Sequence, residues 1–309
     1  MKIDASKRTG ILESFARQLG AAYDNGKVVI PSKYGQGFLQ GFFFDEQIRL
    51  MIRNYEVNED FVIKRTFEKH PSNLLFFQFQ YITSSVQITT QGINAEMFVP
   101  RKIRQQSITM LVDAGYLKMR MGAQLSSPIL KTILENKQPL FFEQLISPAL
   151  QQIMQEMMRE DIPLMFHQYY FRVKAEELIG ALFMELVKRE EVPVYSLNMA
   201  DIKAIYKVKD ALVTAGDTFP SIPVLVKMAN MSESKMKRLF KQVFGTNVFN
   251  YYQSIRMQEA ARLLSEEKLS VSEVGYKLGF SNMSHFTRAF EEYIGMKPKK
   301  YSMLRRGAS

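Results

Sequence analysis

The chain has 309 residues, 46% of them hydrophobic, and a formal net charge of +10, enough length and apolar content for about two domains with full cores. With no cysteine it can hold no disulfide framework, thiolate zinc site or cysteine nucleophile, and a reducing cytoplasm is the expected compartment. The basic first ten residues lead into no apolar run of signal-peptide length, and no stretch nears the ~20 apolar residues of a membrane span, so neither export by that route nor a membrane partner is expected.

Residues 11–22 follow a helical pattern. From about 34 to 112, short segments rich in aromatic and β-branched side chains recur: Gly41-Phe-Phe-Phe44, Ile48-Arg-Leu-Met-Ile52, Phe61-Val-Ile-Lys-Arg-Thr-Phe67, residues 74–82, Ser85-Val-Gln-Ile-Thr-Thr90 and Ser107-Ile-Thr-Met-Leu-Val112. Turn clusters at Asn58-Glu-Asp60, His70-Pro-Ser-Asn73 and Gln91-Gly-Ile-Asn94 separate them. Strands at intervals of roughly 8–12 residues predict an antiparallel sandwich or small barrel rather than βαβ units. Phe42, Phe44, Arg49 and Tyr81 are the candidate effector-binding residues, with Lys33, Arg49 or Arg53 as cations for an acidic ligand head. A packed barrel interior is the plainer account of the same aromatics.

Beyond residue 122 the apolar spacing turns helical, as in Leu150, Ile153, Met154, Met157 and then Phe166, Tyr169, Val173, Leu182, Leu186 and Val187. Pro139, Pro148 and Pro163 divide this region into about three helices. Its apolar stripes either pack within their own domain or bury a second subunit. Glu190-Glu-Val-Pro-Val-Tyr195 reads as a linker. The expected division is therefore a β-barrel over 1–122, a helical and candidate dimerisation region over 123–192, a linker at 193–200 and a third region at 201–306.

That third region holds the basic excess: from Asp201 onward there are 18 lysines and arginines against 10 acids, whereas the first 200 residues are nearly balanced. A localised positive domain suits a polyanion, because neutralising phosphates releases condensed counterions. Two look-alike segments lie in it, Ser232-Glu-Ser-Lys-Met-Lys-Arg-Leu-Phe-Lys-Gln-Val-Phe-Gly245 and Asn282-Met-Ser-His-Phe-Thr-Arg-Ala-Phe-Glu-Glu-Tyr-Ile-Gly295. Arg238 and Arg288, Phe240 and Phe290, Gly245 and Gly295 coincide at one offset of 50 residues. Each segment is an amphipathic helix with a capping residue, a glycine stop and a short helix ahead of it, the pattern of a helix-turn-helix.

In the first unit residues 222–228 form the support helix, Asn230 supplies a left-handed turn residue, and Met236, Leu239, Phe240 and Val243 face inward. Ser234, Lys235, Lys237, Arg238 and Lys241 are left as the DNA-binding candidates, crowded in a way that calls for an anionic neighbour. In the second unit residues 271–278 are the support helix, Ser281 or Asn282 the cap, and Phe286, Phe290 and Ile294 the inner stripe. Its candidates are Asn282, Ser284, His285, Thr287 and Arg288; His285 either contacts DNA or bonds within its own helix pair. With one permanent cation against four, the two helices are expected to read different bases. A long helix over 248–264 joins the units and would set the recognition helices about one DNA turn, roughly 34 Å, apart.

The run Ile255-Arg-Met-Gln-Glu-Ala-Ala-Arg-Leu-Leu264, followed by Val271-Ser-Glu-Val-Gly-Tyr-Lys-Leu-Gly-Phe-Ser281, His285-Phe-Thr-Arg-Ala-Phe290 and Gly295-Met-Lys-Pro-Lys-Lys-Tyr301, closely resembles the AraC/XylS-type transcription regulators. The resemblance covers about 201–306. It implies a seven-helix domain that binds double-stranded promoter DNA through two helix-turn-helix units. Val226 and Gly275 depart from it, standing where the family usually has alanine. Around Ile30-Pro-Ser-Lys-Tyr-Gly-Gln-Gly-Phe38 the N-terminal part more loosely resembles the family's cupin-like sensor halves, which implies a small barrel for a small-molecule effector and helices for homodimerisation. The expected fold is thus two-domain α+β: a cupin-like β-barrel with following helices, then an all-α domain with two helix-turn-helix units on a linker helix. RNA polymerase is a further candidate partner. No cofactor is expected: the three histidines, His70, His167 and His285, form no H-x-H pair, and neither a phosphate-binding glycine loop nor a nucleophile elbow occurs. The N-terminal half is either an effector receptor or a ligand-free dimerisation module.

Overall fold

Alternation along the strands decides which side chains share a face in the first half of the chain. In β4 (Gly35–Phe43) and β5 (Ile48–Val57), Phe38, Gln40 and Phe42 pair with Asn54, Ile52 and Leu50, while Leu39 and Gly41 pair with Arg53 and Met51. Odd and even positions therefore point to opposite sides. The structure is a computed structural model and describes residues 2–4, 11–65, 73–81, 83–90, 95–122, 127–138, 140–189, 195 and 197–306. The chain divides into two compact units, residues 1–196 and 197–309.

In the first unit β2 (Tyr23–Asp24), β3 (Lys27–Val29), β7 (Leu74–Gln80), β8 (Ser85–Thr89), β10 (Gln105–Asp113) and β11 (Phe141–Leu145) join β4 and β5 in one antiparallel sheet. Its order is β11-β8-β7-β10-β5-β4-β3-β2. A second sheet holds β1 (Lys2–Asp4), β6 (Phe61–Arg65) and β9 (Ala95–Val99), with β1 parallel to β6. One face of the large sheet, with Phe38, Phe42, Leu50, Ile52, Phe77 and Ile108, is buried under α3 (Pro128–Glu135), α4 (Pro148–Met157) and α5 (His167–Leu186). The opposite face, with Leu39, Tyr55 and Val57, packs on α1 (Ile11–Leu19) and on Val99 and Phe61 of the second sheet. Gly41 leaves room for this: a Cβ there would stand 2.5 Å from Leu12 Cδ1.

The strands expected between 34 and 112 are present as an antiparallel array, and α1 lies where the helical pattern was read. One segment differs. Phe141–Leu145, inside the stretch whose spacing reads as helical, is an edge strand paired from Phe141↔Thr89 to Leu145↔Ser85. Pro148 closes it after too few residues for a helix, and the unpaired edge of β8 offers it a ladder. A helix, α2 (Ala114–Met121), already precedes residue 122, capped by the Asp113 side chain accepting from Tyr116 N. Thr66, Phe67, Ile82, Pro139, the turn residues 70–72 and 91–94 and the linker positions 190–194 lie outside the described residues.

The second unit consists of α6 (Met199–Thr214), α7 (Ile222–Ala229), α8 (Glu233–Phe244), α9 (Val248–Ser265), α10 (Val271–Lys277), α11 (Met283–Ile294) and α12 (Pro298–Arg306), seven helices among the described residues. α9 serves two cores. Its N-terminal half brings Tyr251 to within 5.3 Å of the Phe240 ring and 4.7 Å of Phe244. Its C-terminal half packs Met257, Ala260, Leu263 and Leu264 on Val274, Phe286, Phe290 and Tyr301. Among the described residues no helix is long and apolar enough to cross a membrane.

Candidate nucleic-acid interface

The two helix-turn-helix units are built on one plan from local signals. α7 ends at Asn230, in the left-handed conformation (φ 51°, ψ 48°), and the Ser232 side chain caps α8 by accepting from Lys235 N. α10 starts with a capping box between Ser270 and Glu273, which holds the Glu273 carboxyl below its usual range. Its turn uses Gly279 at φ +75°, where a Cβ would also come within 3.0 Å of Asp217 Cβ. Asn282, not Ser281, then caps α11, its side chain accepting from Ser284 N and His285 N. Gly245 and Gly295 stop the two helices in the left-handed region.

Ser234, Lys237 and Arg238 are exposed and Lys241 is half-buried, at i, i+3, i+4 and i+7 along one face of α8. Lys235 is different: its Nζ lies 2.8 Å from Asp201 Oδ1 at the start of α6. Lys237 Nζ lies 2.6 Å from Glu233 Oε1 one turn back. The anionic neighbours that this crowding calls for are thus in part the chain's own, since two of the four cations have carboxylates beside them. On α11 Ser284, His285 and Arg288 are exposed and Thr287 is half-buried, while the Asn282 oxygen is occupied by the cap. The position matching Lys241 at the 50-residue offset is the exposed Glu291. The two outward faces thus share a shape and differ in charge.

α9 braces the second turn through a residue to which sequence reasoning attached no role. Arg256 donates from Nη2 to the carbonyl of Leu278 and lies 4.6 Å over the Phe280 ring and 5.3 Å over Tyr252. Its place in the run Ile255-Arg-Met-Gln-Glu-Ala-Ala-Arg-Leu-Leu264, four residues before Ala260, was the available signal. The departure at Gly275 also has a partner: a Cβ there would meet Met283 Sδ at 2.6 Å and Cε at 2.7 Å. The Met283 thioether fills the volume an alanine methyl would take. At the other departure, half-buried Val226, α7 stays regular over Ile222–Ala229.

The effector candidates of the first unit do not converge. Phe42 sits in the core 4.4 Å from the Phe171 ring, Phe44 stacks on Phe42 at 5.9 Å, and Tyr81 packs against the same cluster. Burial pushes the Tyr81 phenol upward, and its hydroxyl has no hydrogen-bond partner. Arg49 lies on the other face of the sheet, paired with Glu46 at 3.2 Å and 5.3 Å from the exposed Phe43 ring. Strand parity separates it from Phe42, so these four residues do not form one site.

A family model described as a helix-turn-helix domain matches residues 225–303. The HTH-type transcriptional regulator GlxA of Rhizobium meliloti is 32% identical over 106 residues, 34% of this chain and 32% of the relative. The regulatory protein PchR of Pseudomonas aeruginosa is 35% identical over 104 residues, 33% of this chain and 35% of the relative. The chain spans about a third of the length of these two curated relatives. A probable AraC family transcriptional regulator from Rhodopseudomonas palustris has a solved structure with 23% identity and a TM-score of 0.31, covering 33% of this chain and 97% of that one. With its paired helix-turn-helix units, its shared α9 and the match over 225–303, the second unit of this chain carries a helix-turn-helix domain similar to those of these transcriptional regulators.

Proposed function

We propose that this chain is a sequence-specific, duplex-DNA-binding transcription regulator whose first unit senses a small effector, forms a homodimer, or does both. The observation that carries the reading is the pair of outward helix faces, alike in position and unlike in chemistry. Two such helices held by one connecting helix can enter successive major grooves on one side of a duplex. Arg238 and Arg288 occupy matching positions one turn into their helices, where a guanidinium can bond the O6 and N7 of guanine bidentately. Lys237 and Lys241 suit phosphates, and α8 serves as the electrostatic anchor beside a more neutral α11. Titration against a duplex library tests this: the expected result is a salt-sensitive preference for a bipartite site, and uniform, salt-insensitive binding would contradict it.

The dimer reading is favoured by one feature of the first unit. α5 buries Phe171, Ala175, Leu178, Leu182 and Leu186 in its own core yet exposes Tyr169, Val173 and Met184, with Phe166 exposed just ahead of it and Val187 just beyond its end. An apolar line of this kind along a helix suits a second copy of the chain better than bulk water. Localisation in the cytoplasm and contact with RNA polymerase accompany the same reading.

A further inference from the structure

We infer that the cavity between the edge of the large sheet and the start of α5 is a binding site for a small primary amine, whose ammonium group donates to the Gln40 side-chain oxygen and is balanced by the Asp24 carboxylate. The site stands whether or not the first unit regulates DNA binding, and so goes beyond that reading.

Strand register sets a polar row across the sheet edge: Asp24 of β2 faces Lys27 of β3, and Lys27 faces Gln40 of β4. The row borders a cavity of about 220 Å3 whose other side is formed by residues of the 159–171 segment. Gln40 is only 8% exposed, yet it lines that cavity. Its amide nitrogen lies 3.4 Å from His167 Nδ1, while His167 Nε2 lies 2.8 Å from the Ile162 carbonyl oxygen. A carbonyl only accepts, so Nε2 carries a proton; an amide nitrogen only donates, so Nδ1 accepts from Gln40. The other end of the amide, Gln40 Oε1, has no donor among the described residues and is not enclosed by protein. Its lone pairs therefore open on the cavity.

An amide oxygen at this depth calls for a donor, and the charges around the cavity decide which one. Lys27 Nζ lies 3.3 Å from Glu160 Oε2 and 4.2 Å from the centre of the Phe38 ring, and Arg159 pairs with Asp161 at 2.6 Å. Both cations that line the cavity thus have carboxylates beside them. Asp24, exposed at its rim, has no cation among the described residues. Asp24, Glu160 and Asp161 against Lys27 and Arg159 leave one negative charge, which a single ammonium balances and any anion would increase. An ammonium has three donors and no acceptor, which suits an oxygen that only accepts. Ile162, Leu164 and Phe171 give the carbon body an apolar wall. The volume lies below the roughly 300–1,000 Å3 of drug-sized sites, so that body is short.

The test uses the full chain with butylamine and benzylamine as probes, butanol and benzyl alcohol as uncharged counterparts, and butyrate and benzoate as anionic ones. At millimolar concentration and constant ionic strength at least one amine is expected to raise the melting temperature by about 2–5 °C, as a ligand of the native state does. The alcohols should give less than half that shift and the carboxylates none. Asp24→Asn, at an exposed position that leaves the core untouched, should weaken amine binding about threefold or more in calorimetric titration. Gln40→Met, which nearly keeps the volume and removes the acceptor, should abolish the amine shift. No shift with either amine, an equal or larger shift with the alcohols or carboxylates, or undiminished amine binding in either variant would overturn the site. Duplex titration with and without the amine keeps the two readings apart: an amine that binds and leaves duplex affinity unchanged supports the site and removes any effector role for it. A missing shift beside intact duplex binding overturns the site alone.

Discussion

Lys235 and Lys237 carry the same formal charge as Arg238, but their neighbours divide the work among them. Lys237 is held by Glu233 at i and i+4, an exposed pair worth only a few tenths of a kcal/mol and easily exchanged for a phosphate. That pairing was readable from spacing. Lys235 is held by Asp201, whose side chain is 17% exposed, in a different helix far along the chain, which no local pattern could reveal. In the proposed complex Asp201 would compete with DNA for Lys235. Asp201→Asn should tighten binding to random duplex about two- to fivefold at low salt and steepen the salt dependence by up to about one counterion. An unchanged slope would mean that Lys235 never reaches a phosphate.

At the scale of elements, the repeated helix-turn-helix plan was legible because each piece is set by short-range chemistry: a cap, a turn residue with positive φ, an apolar stripe and a glycine stop. The choice of Asn282 over Ser281 as cap, and the strand at Phe141–Leu145, were not, since the first depends on side-chain geometry and the second on a free sheet edge. Likewise, the sequence put Phe42 and Arg49 in one candidate site because it shows aromatics and cations but not strand parity across a paired sheet. Gly275 was legible only as a departure, and its meaning came from Met283 across the turn. Gly275→Ala should gain about 1 kcal/mol of helix propensity but lose about 1–3 kcal/mol to crowding against the thioether, for a net destabilisation near 1 kcal/mol. In a Met283→Ala background the same change should become stabilising by about 1 kcal/mol. Equal effects in both backgrounds, read by urea denaturation, would show that the two side chains are not coupled.

For the whole molecule, the charge asymmetry already visible along the sequence matches the division into two units, the basic excess lying in the one with the paired helices. The exposed line on α5 carries the expectation of a dimer. Tyr169→Arg, at a side chain 76% exposed, should leave the fold and melting temperature nearly unchanged and shift the mass measured by light scattering from two chains toward one. A wild-type protein that is monomeric at all concentrations would remove the dimer reading. The central claim is that one unit reads duplex DNA with two unequal helices. The most direct test is the affinity of wild type, Arg238→Ala and Arg288→Ala for the selected duplex and for random duplex, each between 50 and 200 mM salt, roughly the range over which phosphate contacts are lost. The account predicts that each substitution weakens specific binding by about 1–3 kcal/mol and random binding far less. Equal losses on specific and random duplex, or no loss on either, would contradict it.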